Sequence, residues 1–269
     1  MSESALTHEG LAPASFTPAP GAAPIGAMIA AQAALETRTL LRNGEQLTLT
    51  VVIPLLLLAA FSLENLVNLG VPMSRIDFLT PGVMALAVMS TAFTSQAIAT
   101  GFERRYGVLK RLGATPLSRG GLIAAKTATV VVVELLQVVI IALVALTLGW
   151  TPKAGGWAIA AVPLLVLLGT AAFSGLALLM AGTLRAEATL AAANLLYLIM
   201  LGLGAVLFPL TRFPAGLRPL LRLLPADALA DGLRVVLATG AWLPWRDLLV
   251  LCLWAVAGIA LTARTFRWE

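Results

Sequence analysis

The chain has 269 residues, of which 59% are hydrophobic and only 12% are charged, and its mean hydropathy is +0.95. Soluble domains are about half apolar and about a quarter charged, so this composition excludes a single soluble domain and indicates a chain solvated by lipid. The net charge of +5 at pH 7 does not call for a nucleic acid partner, because Arg and Lys collect in the cytoplasmic loops of membrane proteins.

The first segment, residues 1–24, is rich in Ala, Pro, Ser and Thr and contains no Lys or Arg. It lacks the basic start and the apolar stretch of a signal peptide, so we expect a disordered cytoplasmic tail. Residues 25–41 then form an amphipathic helix that Asn43-Gly44 ends. We interpret it as a helix lying in the membrane surface; the alternative is an ordinary packed helix.

Six apolar stretches are long enough to cross a bilayer, since a spanning helix needs roughly 20 apolar residues. They cover about 46–66, 79–101, 122–148, 157–184, 188–208 and 247–263. An even number of spans puts both termini on one side. Of the 18 Lys and Arg residues, eleven fall on the side of the termini and seven on the other, which favours cytoplasmic termini.

The segment 101–118 between the second and third spans combines charge with a regular apolar face. Its apolar residues, at helical spacing, are Phe102, Tyr106, Leu109 and Leu112, and charged residues Glu103, Arg104 and Arg105 lie elsewhere on the turn. This spacing predicts one cytoplasmic helix that Gly113 ends, followed by Thr115-Pro116 as the start of the third span. A charged loop that only sets the topology is the alternative.

The segment 209–246 before the last span is too long for a plain connector. Prolines and glycines divide it into short helices, one of which Asp227 could cap. We expect these helices to return toward the bilayer or to close its outer face.

The sequence contains little that indicates an enzyme. The nearest match to a phosphate-binding loop, residues 120–127, has Ala125 in place of the second glycine and enters a membrane span, so ATP must be hydrolysed by another chain. One cysteine (Cys252) and one histidine (His8) exclude a disulfide framework and a Cys/His metal site.

Polar residues inside the spans are candidates for function. Glu134 and Gln137 lie on one face of the third span, where an ionisable group must face protein or water. Glu134 could contact a proton or a substrate, or it could be a protonated side chain hydrogen-bonded to a neighbouring helix. A second set could line a path for an amphipathic substrate or could form interhelical hydrogen bonds: Ser90, Thr94, Gln96, Asn194 and Tyr197.

The order of these elements resembles the ABC-2 type transporter permease family. The stretch 103–118 is similar to the cytoplasmic signature of that family, 223–234 to its extracytoplasmic stretch before the last span, and 264–268 to its ending. The similarity extends from residue 28 to the end of the chain and is nearest to the drug-exporter branch of actinobacterial type.

The resemblance implies an all-α polytopic membrane protein with six transmembrane helices, an interface helix, a coupling helix and re-entrant helices before the last span. Such permeases pair as dimers, and each dimer binds two ATPase subunits, which hold the ATP and magnesium; no cofactor is expected in this chain. The coupling helix that docks on the ATPase would use Phe102, Glu103, Arg104, Arg105, Tyr106 and Leu109.

We therefore expect a multi-pass plasma-membrane permease subunit that exports a hydrophobic or amphipathic compound, such as a drug, a lipid or a glycan. Two alternatives stay open. One is a membrane scaffold or assembly factor without transport activity, and the other is a proton-coupled carrier built around Glu134.

Overall fold

The computed structural model describes residues 21–63, 73–240 and 243–265, and throughout these ranges the regular structure is helical. The eleven α-helices are α1 (Ile25–Arg42), α2 (Gly44–Leu63), α3 (Arg75–Met89), α4 (Gln96–Arg105), α5 (Val108–Gly113), α6 (Arg119–Thr147), α7 (Ala158–Thr183), α8 (Ala186–Leu203), α9 (Arg218–Leu221), α10 (Pro225–Leu237) and α11 (Trp245–Thr265). A π-helix, Ser90–Ser95, joins α3 to α4 without interruption. Most of the predicted tail, residues 1–20, lies outside the described residues.

Five helical stretches in the described ranges are long and apolar enough to cross a membrane. They are Arg75–Arg105, Gly120–Thr147, Ala158–Thr183, Ala186–Leu203 and Trp245–Thr265. A sixth apolar helix, Thr50–Ser62, is shorter and lies within α2, where the first span was predicted. The chain is thus an all-α polytopic membrane protein, as the sequence predicts.

The spans run antiparallel between two ends of the bundle. The end that holds α1, α5 and the start of α6 is named the α5 end, and the opposite end, which holds α10, is named the α10 end. The last described turns of α11 lie on the α5 side, since Thr262 donates a hydrogen bond to the Gly175 carbonyl in the second half of α7. The described parts of the chain therefore begin and finish at the same end.

The helix predicted over 188–208 ends early, at Leu203. After it, Ala205 has a φ of 48°, which a helix does not allow. The following residues, 205–207, are buried in irregular structure. Gly204 lies against Ala226 of α10 too closely for a side chain, which places this segment at the α10 end. Hydropathy cannot distinguish a buried apolar coil from the last turns of a span.

Two predicted caps are wrong. Ser118, not Thr115, caps α6, because its hydroxyl accepts a hydrogen bond from the Gly121 amide. Thr115 instead donates to the Leu112 carbonyl and belongs to the turn after α5. The N-cap of α10 is Leu224, so Asp227 lies inside the first turn of that helix rather than at its cap.

The spans α7 and α11 approach each other closely at two glycines. A Cβ atom placed on Gly175 would lie 2.9 Å from the backbone carbon of Gly258, and one placed on Gly258 would lie 3.1 Å from Gly175. Small residues let two membrane helices approach closely and gain dispersion contacts, which replace the hydrophobic driving force available in water. These two glycines therefore set the distance between α7 and α11.

We expect Gly175→Ala to lower the free energy of unfolding by about 1–3 kcal/mol, because the added methyl group meets backbone that cannot move aside. The control is Gly202→Ala in α8, where an added Cβ meets no atom within 4 Å. Unfolding of both variants in detergent micelles measures the difference. Equal stability of the two variants would contradict this account of the α7–α11 contact.

Candidate functional site

The segment between the second and third spans is not the single helix that the sequence predicts. The helix ends at Arg105, Gly107 takes a left-handed conformation with φ 71°, and α5 begins at Val108. Glycine adopts this conformation without the steric cost that other residues meet, so position 107 allows a sharp turn inside an otherwise amphipathic sequence. The turn separates Phe102 from the apolar residues of α5.

The apolar side of α5 packs inside the chain. Leu109 is fully buried with Leu117 and Leu122, and Leu112 packs against this group from α5. Met28 and Ile29 of α1 cover the same group, whereas Ile25 and Leu35 of α1 are exposed. Leu109 thus joins α1, α5 and α6 in this structure.

The charged residues at the end of α4 form contacts with other helices of the same chain. The Glu103 carboxylate lies 2.7 Å from the ammonium nitrogen of Lys126 in α6, and that nitrogen lies 3.4 Å from Glu36 of α1. On the other side of α4, Arg105 pairs with Glu187 and Arg104 donates to the Leu184 carbonyl. The end of α4 is therefore held between α6 on one side and the α7–α8 connection on the other.

Lys126 is the functional candidate that the sequence analysis does not identify. It is 5% exposed, and a buried ammonium is tolerated only when it is paired. In the sequence Lys126 is part of the imperfect phosphate-binding motif. Its partners, Glu103 and Glu36, lie 23 and 90 positions earlier. An isolated lysine near the start of an apolar span is the signal that could have found it.

Some side chains of the predicted coupling segment remain exposed. They lie at its turn and on the outer side of α5. Tyr106 is 67% exposed and stacks on Phe102 with 6.0 Å between ring centroids. Lys110 and Arg111 are also exposed. An exposed aromatic ring beside basic side chains is a composition typical of protein interfaces.

Four of the predicted path residues line one cavity, which opens at the surface of the chain. The cavity has a volume of about 500 Å³ and lies between α2, the π-helix and α8. Ser90 and Thr94 come from the π-helix, and Asn194 and Tyr197 come from α8. The side chains that line it are apolar or neutral and polar: Asn43, Thr50, Ile53, Pro54, Ser90, Thr94, Ser95, Ile98, Ala99, Asn194 and Tyr197.

The π-helix explains how Ser90, Thr94 and Ser95 reach the same cavity. A π-helix has one more residue per hydrogen-bonded turn than an α-helix, and this shifts the neighbouring side chains around the helix axis. Such insertions occur frequently at functional sites. Gln96, the fifth predicted path residue, instead faces a second cavity of about 290 Å³ that Lys126 also lines. The two cavities share Asn43, Thr50, Ser95 and Ala99 and are therefore adjacent.

The intramembrane pair Glu134 and Gln137 forms contacts between helices. Gln137 accepts a hydrogen bond from Thr91 of the π-helix at 3.0 Å and donates one to the Thr50 carbonyl of α2 at 3.1 Å. Glu134 is fully buried and accepts a hydrogen bond from Thr170 of α7. Glu134 lines neither of the two cavities described above, and its contact matches the interhelical alternative stated for it.

A second charged cluster holds the α10 end together. Arg234 is buried, donates to the Phe78 and Val206 carbonyls at 3.1 and 2.6 Å, and lies over the Phe78 ring. Burial lowers the pKa of Arg234 to about 10, so it stays charged at neutral pH. Arg246 lies 2.5 Å from Asp247, 3.2 Å from Asp231 and 3.7 Å from Asp227.

Asp227 is the weakly paired member of this cluster. Its side chain is 1% exposed, and neither carboxylate oxygen has a hydrogen-bond partner within the described ranges. Burial, reinforced by the Asp231 carboxylate, raises the pKa of Asp227 from 3.8 to about 7, although Arg246 and Arg234 oppose this change. A carboxyl group that ionises near neutral pH therefore lies in α10, outside the membrane spans.

Long apolar helices, with charged clusters at both ends of the bundle, define a polytopic α-helical membrane protein. The family model described as "ABC-2 type transporter" matches residues 30–238. The chain therefore belongs to the ABC-2 type transporter family and is a membrane subunit of an ATP-binding-cassette transporter. A comparison with curated proteins finds no match.

The pKa of Asp227 predicts that stability falls as the pH rises from about 4 to about 7. In that range the unfolded chain loses the proton of this carboxyl group while the folded chain keeps it, so folding is penalised as the pH increases. Asp227→Asn removes the titration, and above pH 7 we expect it to be more stable than the parent by roughly 1–3 kcal/mol.

Unfolding in detergent between pH 4 and pH 8 measures this difference, with Asp231→Asn as the matched control on the same helix. Asp231 is substantially exposed, so its replacement should reduce the pH dependence far less. A pH dependence that is unchanged in Asp227→Asn would show that this carboxyl group is ionised in the folded protein throughout the range.

Proposed function

We propose that this chain is the permease subunit of an exporter whose ATP is hydrolysed by a separate ATPase subunit bound at the α5 end. The observation that carries the proposal is the exposed surface of Tyr106 and Arg111, next to residues that tie α4 and α5 to α1, α6 and α8. A force applied to this surface reaches the spans through those contacts.

In this proposal the α5 end and both termini face the cytoplasm of the cell, and the subunit works as a dimer in the plasma membrane. The larger share of Lys and Arg on that side supports the orientation. α1, which has no buried residue in the structure, lies in the membrane surface beside the ATPase. The short helices of 209–246 close the opposite, outer end.

The transported compound is hydrophobic or amphipathic and passes along the cavity between α2, the π-helix and α8. The described lining offers hydroxyl and amide groups on apolar walls and no Asp, Glu, Lys or Arg side chain. A cavity of this kind suits a compound with neutral hydrogen-bonding groups, because an ionised group there would lose its hydration without gaining a partner. ATP binding alternates the access of this cavity by moving α4 and α5.

The double variant Tyr106→Ala with Arg111→Glu is expected to lose the ATPase from the purified complex. Both side chains are exposed, so the permease itself should keep its stability within about 0.5 kcal/mol. Co-purification of the two subunits and unfolding of the permease alone measure the two effects. The matched control is Arg212→Glu, which reverses an exposed charge at the α10 end.

Glu103 and Arg105 also contact other helices of the same chain. Reversing the charges of Glu103 and Arg105 would also place like charges beside Lys126 and Glu187, so a loss of function could then reflect damage to the permease. Full retention of the ATPase by the Tyr106 and Arg111 double variant, at normal permease levels, would contradict the proposed docking surface.

For the cavity, Asn194→Leu is expected to reduce ATP-dependent export by about tenfold, since one lost hydrogen bond to a buried partner is worth roughly 1–2 kcal/mol. Uptake of neutral amphipathic dyes into inverted vesicles measures export, and the ATPase should still co-purify. Leu195→Asn, a neighbouring exposed position on α8 outside the cavity lining, is the control. Normal export of all the dyes by Asn194→Leu would contradict the path.

The same assay separates the proposal from a carrier driven by protons. With Glu134 bonded to Thr170 inside the bundle, Glu134→Gln keeps a hydrogen-bonding group of the same size at this position. Export that survives inactivation of the ATPase but fails in Glu134→Gln would support the carrier instead.

A further inference from the structure

An open groove lies on the surface between α1 and α6 and has a volume of about 510 Å³. Its apolar lining consists of small and branched side chains: Ala33, Ala34, Leu41, Ala128 and Val132. The described lining comes from these two helices alone, and none of its residues lines either of the two cavities described above. The groove is therefore a separate site on the surface of the chain.

Two positive charges adjoin this apolar lining. Arg38 and Arg42 line the groove, both are exposed, and a separation of four residues makes them neighbours on one face of α1. The described lining contains no Asp or Glu, and Glu36, the acidic residue of α1, pairs with Lys126 instead. Neither guanidinium forms an ion pair with a described residue. The charge of the groove is therefore not neutralised by the residues around it.

The groove lies at the boundary between the hydrocarbon core and the lipid headgroups. From Ala128 to Thr147, α6 has about 20 residues, which span roughly 30 Å, the thickness of the hydrocarbon core. Lys126 is the last Lys or Arg of α6, two positions before this stretch begins. Ala128 thus lies where the hydrocarbon begins on the α5 side, and the long side chains of Arg38 and Arg42 extend from there to the headgroups.

An apolar face of α6 continues from the groove toward the middle of the bilayer. Val132, Leu136, Val139 and Leu143 are 50%, 44%, 54% and 59% exposed, and their spacing of four, three and four residues places them on one side of the helix. The helix between the first and the last of them is about 16 Å long, close to half of the hydrocarbon core. This length matches an acyl chain of a single leaflet.

We propose that the groove binds an anionic phospholipid of the leaflet at the α5 end. The phosphate lies between Arg38 and Arg42, because planar guanidinium groups donate paired hydrogen bonds to phosphate oxygens. One acyl chain lies in the groove and along the exposed face of α6. Basic pockets between membrane helices bind anionic headgroups. A water-soluble partner does not reach apolar surface at the depth of Val132, which favours a lipid as the occupant.

The bound lipid would hold α1 against α6, since its phosphate contacts α1 and its acyl chain contacts both helices. α1 has no buried residue, so a ligand shared by the two helices adds materially to its attachment. The inference goes beyond the proposed function, and its test requires neither the ATPase nor transport.

Native mass spectrometry of the full chain in a neutral detergent tests the headgroup site. The probes are dioleoyl phosphatidylglycerol and dioleoyl phosphatidylcholine, which has the same acyl chains but no net charge. We expect the first phosphatidylglycerol to bind at least about tenfold more tightly, or about 1.4 kcal/mol, and Arg38→Gln with Arg42→Gln to lose this preference. The matched control, Arg111→Gln with Arg264→Gln, removes two exposed charges at the same end but outside the groove and should keep the preference.

A second variant tests the acyl site without changing the charge. Ala128→Trp fills the groove with a large side chain and should weaken the binding of phosphatidylglycerol by about tenfold, or about 1.4 kcal/mol. Ala124→Trp, one turn earlier at an exposed position of α6 outside the groove, is the matched control and should bind normally. Soluble glycerol 3-phosphate at the same concentration should not displace the lipid, because it has no acyl chain.

An equal preference for phosphatidylglycerol in the Arg38 and Arg42 double variant and in its control would overturn the headgroup site. Normal binding by Ala128→Trp, or displacement of the lipid by glycerol 3-phosphate, would overturn the acyl site and leave a plain anion site. Loss of the ATPase from the double variant, with lipid binding unchanged, would assign the two arginines to a protein contact and also overturn the proposal.

Discussion

The hydrocarbon core of a membrane offers no hydrogen bonds and does not hydrate charge, and this constraint determines which packing of the spans is stable. Each polar group inside must find a partner within the protein or line a cavity that holds water or substrate. Gln137 satisfies the requirement by joining α6 to α2 and the π-helix, and Thr262 by binding the backbone of α7. Apolar surface alone would permit many arrangements of these helices, whereas such contacts allow few.

Contacts within the chain also shape the segment that we propose to bind the ATPase. Glu103 and Arg105 belong to a charged stretch that resembles a partner-binding surface. In the structure, however, Glu103 pairs with α6 and Arg105 pairs with α8, and these contacts hold α4 in place. What remains for a partner is a smaller exposed surface around Tyr106, which the ion pairs of Glu103 and Arg105 connect to the bundle. A rigid connection suits a part that transmits movement, since a flexible loop would absorb the displacement before it reached the spans.

The sequence predicts the class of fold because burial in lipid is a property of composition and of the length of apolar runs. It also predicts a helix before the first span and short helices before the last, which Gly and Pro residues delimit. The break at Gly107 escapes prediction because a glycine inside a periodic pattern is compatible with a continuous helix or with a left-handed turn. The early end of α8 could not be predicted, because its last predicted residues are apolar and are compatible with a helix or with a buried coil.

The site is harder to predict than the fold, for a related reason. Ser90, Thr94, Asn194 and Tyr197 are conspicuous as polar residues in apolar helices, and they do line one cavity. Lys126 is equally conspicuous, but its meaning depends on Glu36 and Glu103, which local spacing does not connect to it. The π-helix, after which Gln96 faces only the second cavity while Ser95 lines both, has no signature in the sequence.

The central claim is that a separate ATPase drives this membrane subunit from the α5 end, and photochemical cross-linking in intact cells tests it most directly. A photoreactive benzoylphenylalanine is placed at position 106, and a second one at position 212 at the opposite end. The account predicts an adduct between the chain and an ATPase subunit from position 106 and none from position 212. The absence of an adduct at position 106, or an equal yield from position 212, would contradict it.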